Sequence, residues 1–341
     1  MKRLQILAGT ALVGASLALA SAAPPDEPAD AFVYDAITAP TKVSYAGTVE
    51  IVNIGDNQTQ ASVYRIEHRA PDLTQRLYMS PPSLHGDLVV SQGDRSYFVD
   101  VRRHRVVRTE NDASNDQIAR DDNYLLLRAN YRAVKQPAES FDGRQVRAVA
   151  LINKFTSRTT MVVRIDEQTK LVLDKQQFAS DGSLISETRF QEVRYSGDLP
   201  AADFSVPKAY PLVSGPTFGD PSKDVPAVAR TVGFAAQVPK VFPGGFSPVE
   251  GQAIAVKGVR TLQILYSDGI RTISLFENAA GPGLDLQHMN PRKISVASRP
   301  ALYAERGQTT LLIWDDGAIH YSLVADLPIA ELQKIAESVA S

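Results

Sequence analysis

Along most of the chain, apolar and polar positions form short runs closed off by turn residues. Val43–Val52, Ser62–His68, Thr74–Met79, Leu88–Ser91, Ser96–Val101 and Arg105–Thr109 are rich in β-branched or aromatic side chains, and each is bounded by Gly, Asp, Asn or Pro. That pattern predicts one strand after another. The rhythm then changes: Ser114–Tyr131, containing DNYLLLRANY, holds more helix formers and predicts one or two short helices, and Ala31–Ala39 predicts another. Strands are expected again at Gln145–Ile152 and Thr159–Ile165.

Between Phe178 and Phe190, Asp181-Gly182 separates two short runs. Asp-Gly is among the strongest hairpin signals, because a type I′ turn needs positive φ at both central residues. With that pair as the loop, Asp174 faces Arg189, Phe178 faces Ile185 and Leu173 faces Phe190. Each such cross-strand couple is worth about 0.2–1 kcal/mol. The same argument predicts hairpins at Asp268-Gly269, between Leu262–Tyr266 and Thr272–Phe276, and at Asp316-Gly317, between Thr310–Trp314 and Ala318–Val324. The final stretch sets Ile329, Leu332, Ile335, Ala336 and Val339 on one helical face, with Pro328 in the first turn and Asp326 as expected N-cap.

Closely spaced strands with hairpin turns mean antiparallel sheet, and the few helices must cover one of its faces, so the fold class is α+β. Five prolines and two glycines between Pro207 and Pro226, without periodicity, suit a stiff extended linker. The expected units are a signal segment at 1–22, a larger domain at 23–206, a Pro-rich linker at 207–227 and a smaller α+β domain at 228–341.

Composition changes the picture at the N-terminus. Lys2 and Arg3, the apolar run Ile6–Ala20 and Ala20-Ser21-Ala22 have the form of a cleaved secretory signal, too short for a spanning helix. The mature chain is therefore expected to be soluble and periplasmic, or otherwise extracytoplasmic, with no integral membrane segment. Without Lys2 and Arg3 it has 34 basic against 38 acidic side chains, a net of −4, which argues against nucleic acid as a partner. There is no cysteine, so no disulfide, and the five histidines show no ligand spacing, so neither a metal nor a cofactor is expected. No nucleophile elbow, phosphate loop or H-E-x-x-H occurs. Asp121-Asp122 and Asp315-Asp316 fall at an expected helix start and a turn, where carboxylates cap backbone N–H groups. The chain is not expected to be an enzyme.

Two stretches are candidate binding sites. In VRRHRVVRT, Arg102, Arg103, Arg105 and Arg108 read first as a charged turn and edge strand that deters aggregation. The alternative is a patch for an anionic ligand, since guanidinium groups fork onto phosphate oxygens. In NYLLLRANY, Tyr124, Leu125, Leu126, Leu127 and Tyr131 read first as core and alternatively as lining of a lipid cavity under helices on a curved sheet.

The order of NYLLLRANYRAV, FDGRQVRAVALI, VVRIDEQTKLVLDKQQFASDGSLISETRFQEVRY and LPAADFSVP resembles that of the MucB/RseB N-terminal domain. VPKVFPGGFSPVEG, LQILYSDGIRTISLFEN and IHYSLVADLPIAELQKIAESV resemble its C-terminal domain. The resemblance implies a curved, half-barrel antiparallel sheet like that of LolA-type lipoprotein carriers, with the Asp181-Gly182 hairpin joining two of its strands. It also implies a function: binding the extracytoplasmic segment of an anti-sigma factor, shielding it from proteolysis and so regulating a stress-response sigma factor. Lipid or lipopolysaccharide would weaken that grip. The alternative is a carrier of lipid or lipoprotein acyl chains, but carriers of that type are usually a single domain.

Overall fold

The computed structural model describes residues 28–339 except 56–58, 94, 111–120, 215–218, 220, 240–241, 257–258, 280–288 and 307–308. The expected signal segment and residues 114–120 of the expected helical stretch lie outside the described residues. No helix among those described is long and apolar enough to cross a membrane.

The first domain is one open sheet of twelve strands. Six of them, β1 (Tyr45–Ile54), β2 (Thr59–Arg69), β3 (Leu73–Ser80), β4 (Leu88–Gln92), β5 (Arg95–Asp100) and β6 (Arg105–Glu110), run outward as a meander. The chain then crosses by way of α2 (Asp121–Asn130) to the opposite margin. There it returns through β7 (Tyr131–Phe141), β8 (Arg144–Asn153), β9 (Thr159–Asp166), β10 (Val172–Phe178) and β11 (Leu184–Tyr195), which closes against β1. The helix α1 (Ala29–Thr38) precedes β1.

The strand pairing separates two chemically distinct faces. On one, Val49, Phe190, Tyr64 and Tyr78 lie in register across β11, β1, β2 and β3, and Val149 and Leu151 pair with Val163 and Met161. Phe32, Val33 and Ala36 of α1 and Leu127 of α2 pack onto the second group. The other face carries Glu50, Arg189, Asp174 and Arg164 as successive cross-strand neighbours. Arg189 donates to Glu50 at 3.0 Å, and Arg164 bridges Asp174 and Glu139. A charged row on one face and an apolar layer on the other fix the register, because a one-residue slip would exchange them.

The Asp181-Gly182 hairpin forms, but its tip is not the expected type I′ turn. Gly182 takes φ 90° while Asp181 stays out of the left-handed region. The Gly182 N–H donates to Ala179 O, and the Ala179 N–H donates to Ser183 O. The tip is thus a type I turn closed by a left-handed glycine. Asp174 faces Arg189 as expected, whereas Phe178 faces Leu184 instead of Ile185. The Asp181 carboxylate favours this form by accepting the Ser183 N–H at 2.8 Å and hydroxyl at 2.6 Å.

The stretch expected as a stiff linker is strapped down at both ends. β12 (Leu212–Ser214) pairs in parallel with β6, so β6 is not the edge strand expected of it. Further on, Ser222 pairs with Gly251, and the Gly219 N–H donates to Ala253 O.

The second domain is a seven-stranded antiparallel sheet. Its strands in chain order are β13 (Ser247–Val256), β14 (Val259–Ser267), β15 (Thr272–Ala279), β16 (Arg292–Val296), β17 (Arg299–Arg306), β18 (Thr309–Asp315) and β19 (Ile319–Ala325). One face is covered by α3 (Val225–Val232) and α4 (Ile329–Val339). α3 is capped by Asp224, whose carboxylate accepts the Ala227 N–H. Leu332, Ile335, Ala336 and Val339 of α4 face the core as their spacing predicts. Asp326 does not cap α4: its carboxylate accepts the Thr309 hydroxyl, and the helix starts after Pro328, whose carbonyl accepts the Leu332 N–H. Inside this core sits a fully buried carboxyl, Glu277, whose two oxygens accept the Gln237 N–H at 3.0 and 3.1 Å. Burial pushes it up to about 8, against the pull of that N–H.

Candidate functional site

The two domains meet at a seam built from two loops of the second domain and one end of the first. Tyr131 and Asn153 are register partners at the paired ends of β7 and β8, and Asn130 closes α2 immediately before them. Local structure therefore gathers two amides and a phenol at one corner of the sheet.

Onto that corner comes the β14–β15 turn. Asp268 organises it by accepting the Ile270 and Arg271 N–H groups on Oδ1, at 2.9 and 2.7 Å. Its Oδ2 accepts the Tyr131 hydroxyl at 2.6 Å and the Arg271 guanidinium at 2.9 Å. Burial, and then the facing Asp268 charge, push the Tyr131 phenol well above its ordinary range, so it donates at any physiological pH. Asn130 Nδ2 donates to Asp268 O at 3.0 Å and to Gly245 O at 2.8 Å, while Asn153 Nδ2 donates to Gly244 O at 2.8 Å. Leaving one such buried group unpaired costs about 1–3 kcal/mol.

Ile270 is fully buried and joins the apolar cluster of Phe32, Val33, Leu127, Tyr131 and Val149. A side chain of the second domain thus fills the space between the helices and sheet of the first. Gly269 permits the approach: a Cβ there would stand 2.2 Å from Leu127 N and 2.5 Å from its Cα. At Gly245 a Cβ would stand 2.5 Å from Asn130 Oδ1 and 2.6 Å from the Phe155 ring. Both glycines also have positive φ.

The residues singled out from sequence fall in two separate places. Arg102, Arg103, Arg105 and Arg108 lie on the β5–β6 turn and β6, near one margin of the sheet, and the seam lies at the other. Asp100 binds Arg103 at 3.0 Å and Arg105 at 3.5 Å, one carboxylate shared by two guanidinium groups. The bond from Arg103 holds the Asp100 carboxyl below its ordinary range. Arg102 and Arg108 are exposed.

Tyr124, Leu125, Leu126, Leu127 and Tyr131 do not share one face. Leu127 and Tyr131 are buried against Ile270, Tyr124 and Leu126 are half-buried, and Leu125 points to solvent at 61% exposure. Helical spacing separates them, and Tyr131 belongs to β7. Of the paired carboxylates, Asp315 meets His320 and Asp316 holds its turn, accepting the Ala318 and Ile319 N–H groups. Sequence reasoning missed Asn130, Asn153, Gly244, Gly245 and Ile270 as seam residues and read Asp268-Gly269 as a turn alone. Among the described residues no group of His, Cys, Asp and Glu is arranged to hold a metal ion.

Comparison with solved structures reaches across most of the chain. MucB in complex with MucA(peri) matches at 15% identity over 91% of this chain and 97% of that one, with TM-score 0.62. The Pseudomonas aeruginosa MucA/MucB complex matches at 14% identity over 91% and 97%, with TM-score 0.63. The chain has a MucB-like fold. A further crystal structure of MucB matches at 15% identity over 91% and 96%, with TM-score 0.53. By sequence, a family described as Domain of unknown function (DUF4367) matches residues 239–339, which hold both seam loops, and no curated protein matches.

Proposed function

We propose that this chain is an extracytoplasmic, non-catalytic regulator that binds the extracytoplasmic segment of an anti-sigma factor and so restrains a stress-response sigma factor. The observation that carries this reading is the likeness in fold, across both domains, to MucB in its complexes with MucA. The sequence landmarks of both domains and the signal-like residues 1–22 agree with it.

The carrier alternative is weaker on physical grounds. A carrier needs an apolar cavity open to a chain, and here Ile270 occupies the cluster beneath α1 and α2. The same contact suits a sensor. An acyl chain that competes with Ile270 for this cluster would favour an undocked arrangement, and a ligand that prefers one of two arrangements shifts the population toward it. Titrating the mature chain with the segment, with and without an amphiphile, tests the proposal. Saturable binding that the amphiphile weakens supports it. No binding of the segment, beside stoichiometric uptake of lipid, would turn the reading to a carrier.

A further inference from the structure

Beside the seam, a stripe of exposed side chains crosses the first domain. Tyr34 of α1 is 39% exposed, and its ring centroid lies 4.8 Å from that of Tyr124 on α2. The Arg128 guanidinium lies 5.8 Å from the Tyr124 ring. Leu125 shares the outer face of α2 with Arg128, three residues on, and both are exposed. Lys154, in the β8–β9 turn, donates to the Arg128 and Ala129 carbonyls at 2.6 and 3.2 Å, a cation at the carbonyl end of the helix. Phe155 follows, 66% exposed, with one ring edge against Gly245 of the second domain. The stripe is continuous through these contacts and ends on the other domain.

Packing accounts neither for Leu125 nor for the exposed face of Phe155. Leu125 and Phe155 are among the most exposed large apolar side chains described, and Arg128 and Lys154 stand beside them. Tyrosine and arginine are over-represented among the residues that concentrate binding energy in protein interfaces, and phenylalanine is enriched at the apolar centre of such interfaces, within a polar rim. Two cations flanking two apolar anchors fit a segment that carries acidic side chains beside apolar ones. We infer that this stripe docks such a segment, the acidic and apolar part of the anti-sigma factor's extracytoplasmic region, and that Phe155 and Leu125 are its anchors. This rests on the function proposed above and gives it a surface. Because Phe155 touches Gly245, a segment lying on the stripe reaches the seam and senses whether the domains are docked.

The test uses the full mature chain and the extracytoplasmic segment of the anti-sigma factor of the same organism. Leu125→Ser with Phe155→Ser should weaken binding roughly tenfold or more. Arg128→Glu should slow association and reduce its dependence on salt. Leu302→Ser, an exposed apolar position on β17, serves as control and should leave affinity unchanged. Thermal melts close to that of the unaltered protein establish that the variants fold, as their exposure leads one to expect. Unaltered affinity in the double variant, when the parent chain binds, overturns the inference while the proposed function stands. Loss of binding to phosphatidylglycerol vesicles with segment binding intact also overturns it, in favour of a membrane-facing stripe. Failure of the parent chain to bind the segment removes the proposed function, and this inference with it.

Discussion

Gly269→Ala is the sharpest perturbation of the seam. At φ 98° an added methyl would stand 2.2 Å from Leu127 N, with Leu127 Cα at 2.5 Å and Leu126 C at 2.8 Å. Relaxed contacts lie at about 3.5–4 Å, so turn and helix must part by more than about 1 Å. Helix backbone has no rotamer by which to yield. Gly317 supplies the control, with φ 96° in another Asp-Gly turn and nothing within 4 Å of its Cβ position. Gly317→Ala therefore reports the left-handed strain alone, about 1–2 kcal/mol. Gly269→Ala adds the exposure of Ile270, worth about 1.5–3 kcal/mol when buried, and the loss of the Asp268–Tyr131 bond, about 1 kcal/mol net. Some of that is regained as the parted surfaces hydrate, so the expected excess over the control is about 2–3 kcal/mol. Amide hydrogen exchange measures it locally. The N–H groups of Ile270 and of Lys154, which donates to Asn130 O, should exchange roughly thirty-fold faster or more in Gly269→Ala. Equal losses in the two variants, with seam amides as protected as before, would refute the claim that Gly269 is there for close approach.

Gly182→Val should cost about 1–3 kcal/mol in denaturant unfolding, all from backbone strain, because nothing lies within 4 Å of its Cβ position. Burial holds the Glu277 carboxyl near 8 in the fold, against 4.5 for the free side chain, so the folded state keeps a proton that the unfolded chain has released. Its contribution to stability is complete below about pH 4.5 and is lost progressively up to about pH 8; Glu277→Gln should flatten that decline in unfolding midpoints at pH 5, 7 and 9. A chain cut within 207–226 should elute as one particle in size-exclusion chromatography and separate only in denaturant or with Ile270→Asp, because the seam and not the linker joins the domains. Arg102→Ser with Arg108→Ser, both exposed guanidinium groups, should weaken attachment to anionic vesicles, less so at high salt.

The strands legible in the sequence are those with an apolar side to bury. β1 to β6, β8 and β9 appear within a few residues of their expected bounds because β-branched and aromatic residues mark them. β7 was hidden: YRAVKQPAESF is polar and holds Pro137, which suits the open margin it occupies. α3 was hidden too, since PAVARTV lies at the end of a proline-rich stretch and mixes β-branched residues with helix formers. All three Asp-Gly hairpins were legible, but the tip geometry at Gly182 was not, because type I′ and type I turns with a closing glycine share the same letters. The seam was the least legible part. A glycine needed for positive φ and one needed for close approach are written alike, and Gly269 is both. Asn130 and Asn153 look like ordinary ends of elements until β7–β8 pairing brings them together, and Ile270 belongs to a core more than a hundred residues earlier in the chain.

A chain with docked domains should shield a partner segment from cleavage. The measurement is the rate at which a site-specific protease cuts the proposed partner, the anti-sigma factor's extracytoplasmic segment, alone, with the unaltered chain, and with Gly269→Ala. Cutting should be slow with the unaltered chain and faster with Gly269→Ala, and faster also when an amphiphile is added to the unaltered chain. Cutting at the rate of the free segment in the presence of saturating unaltered chain would rule out shielding.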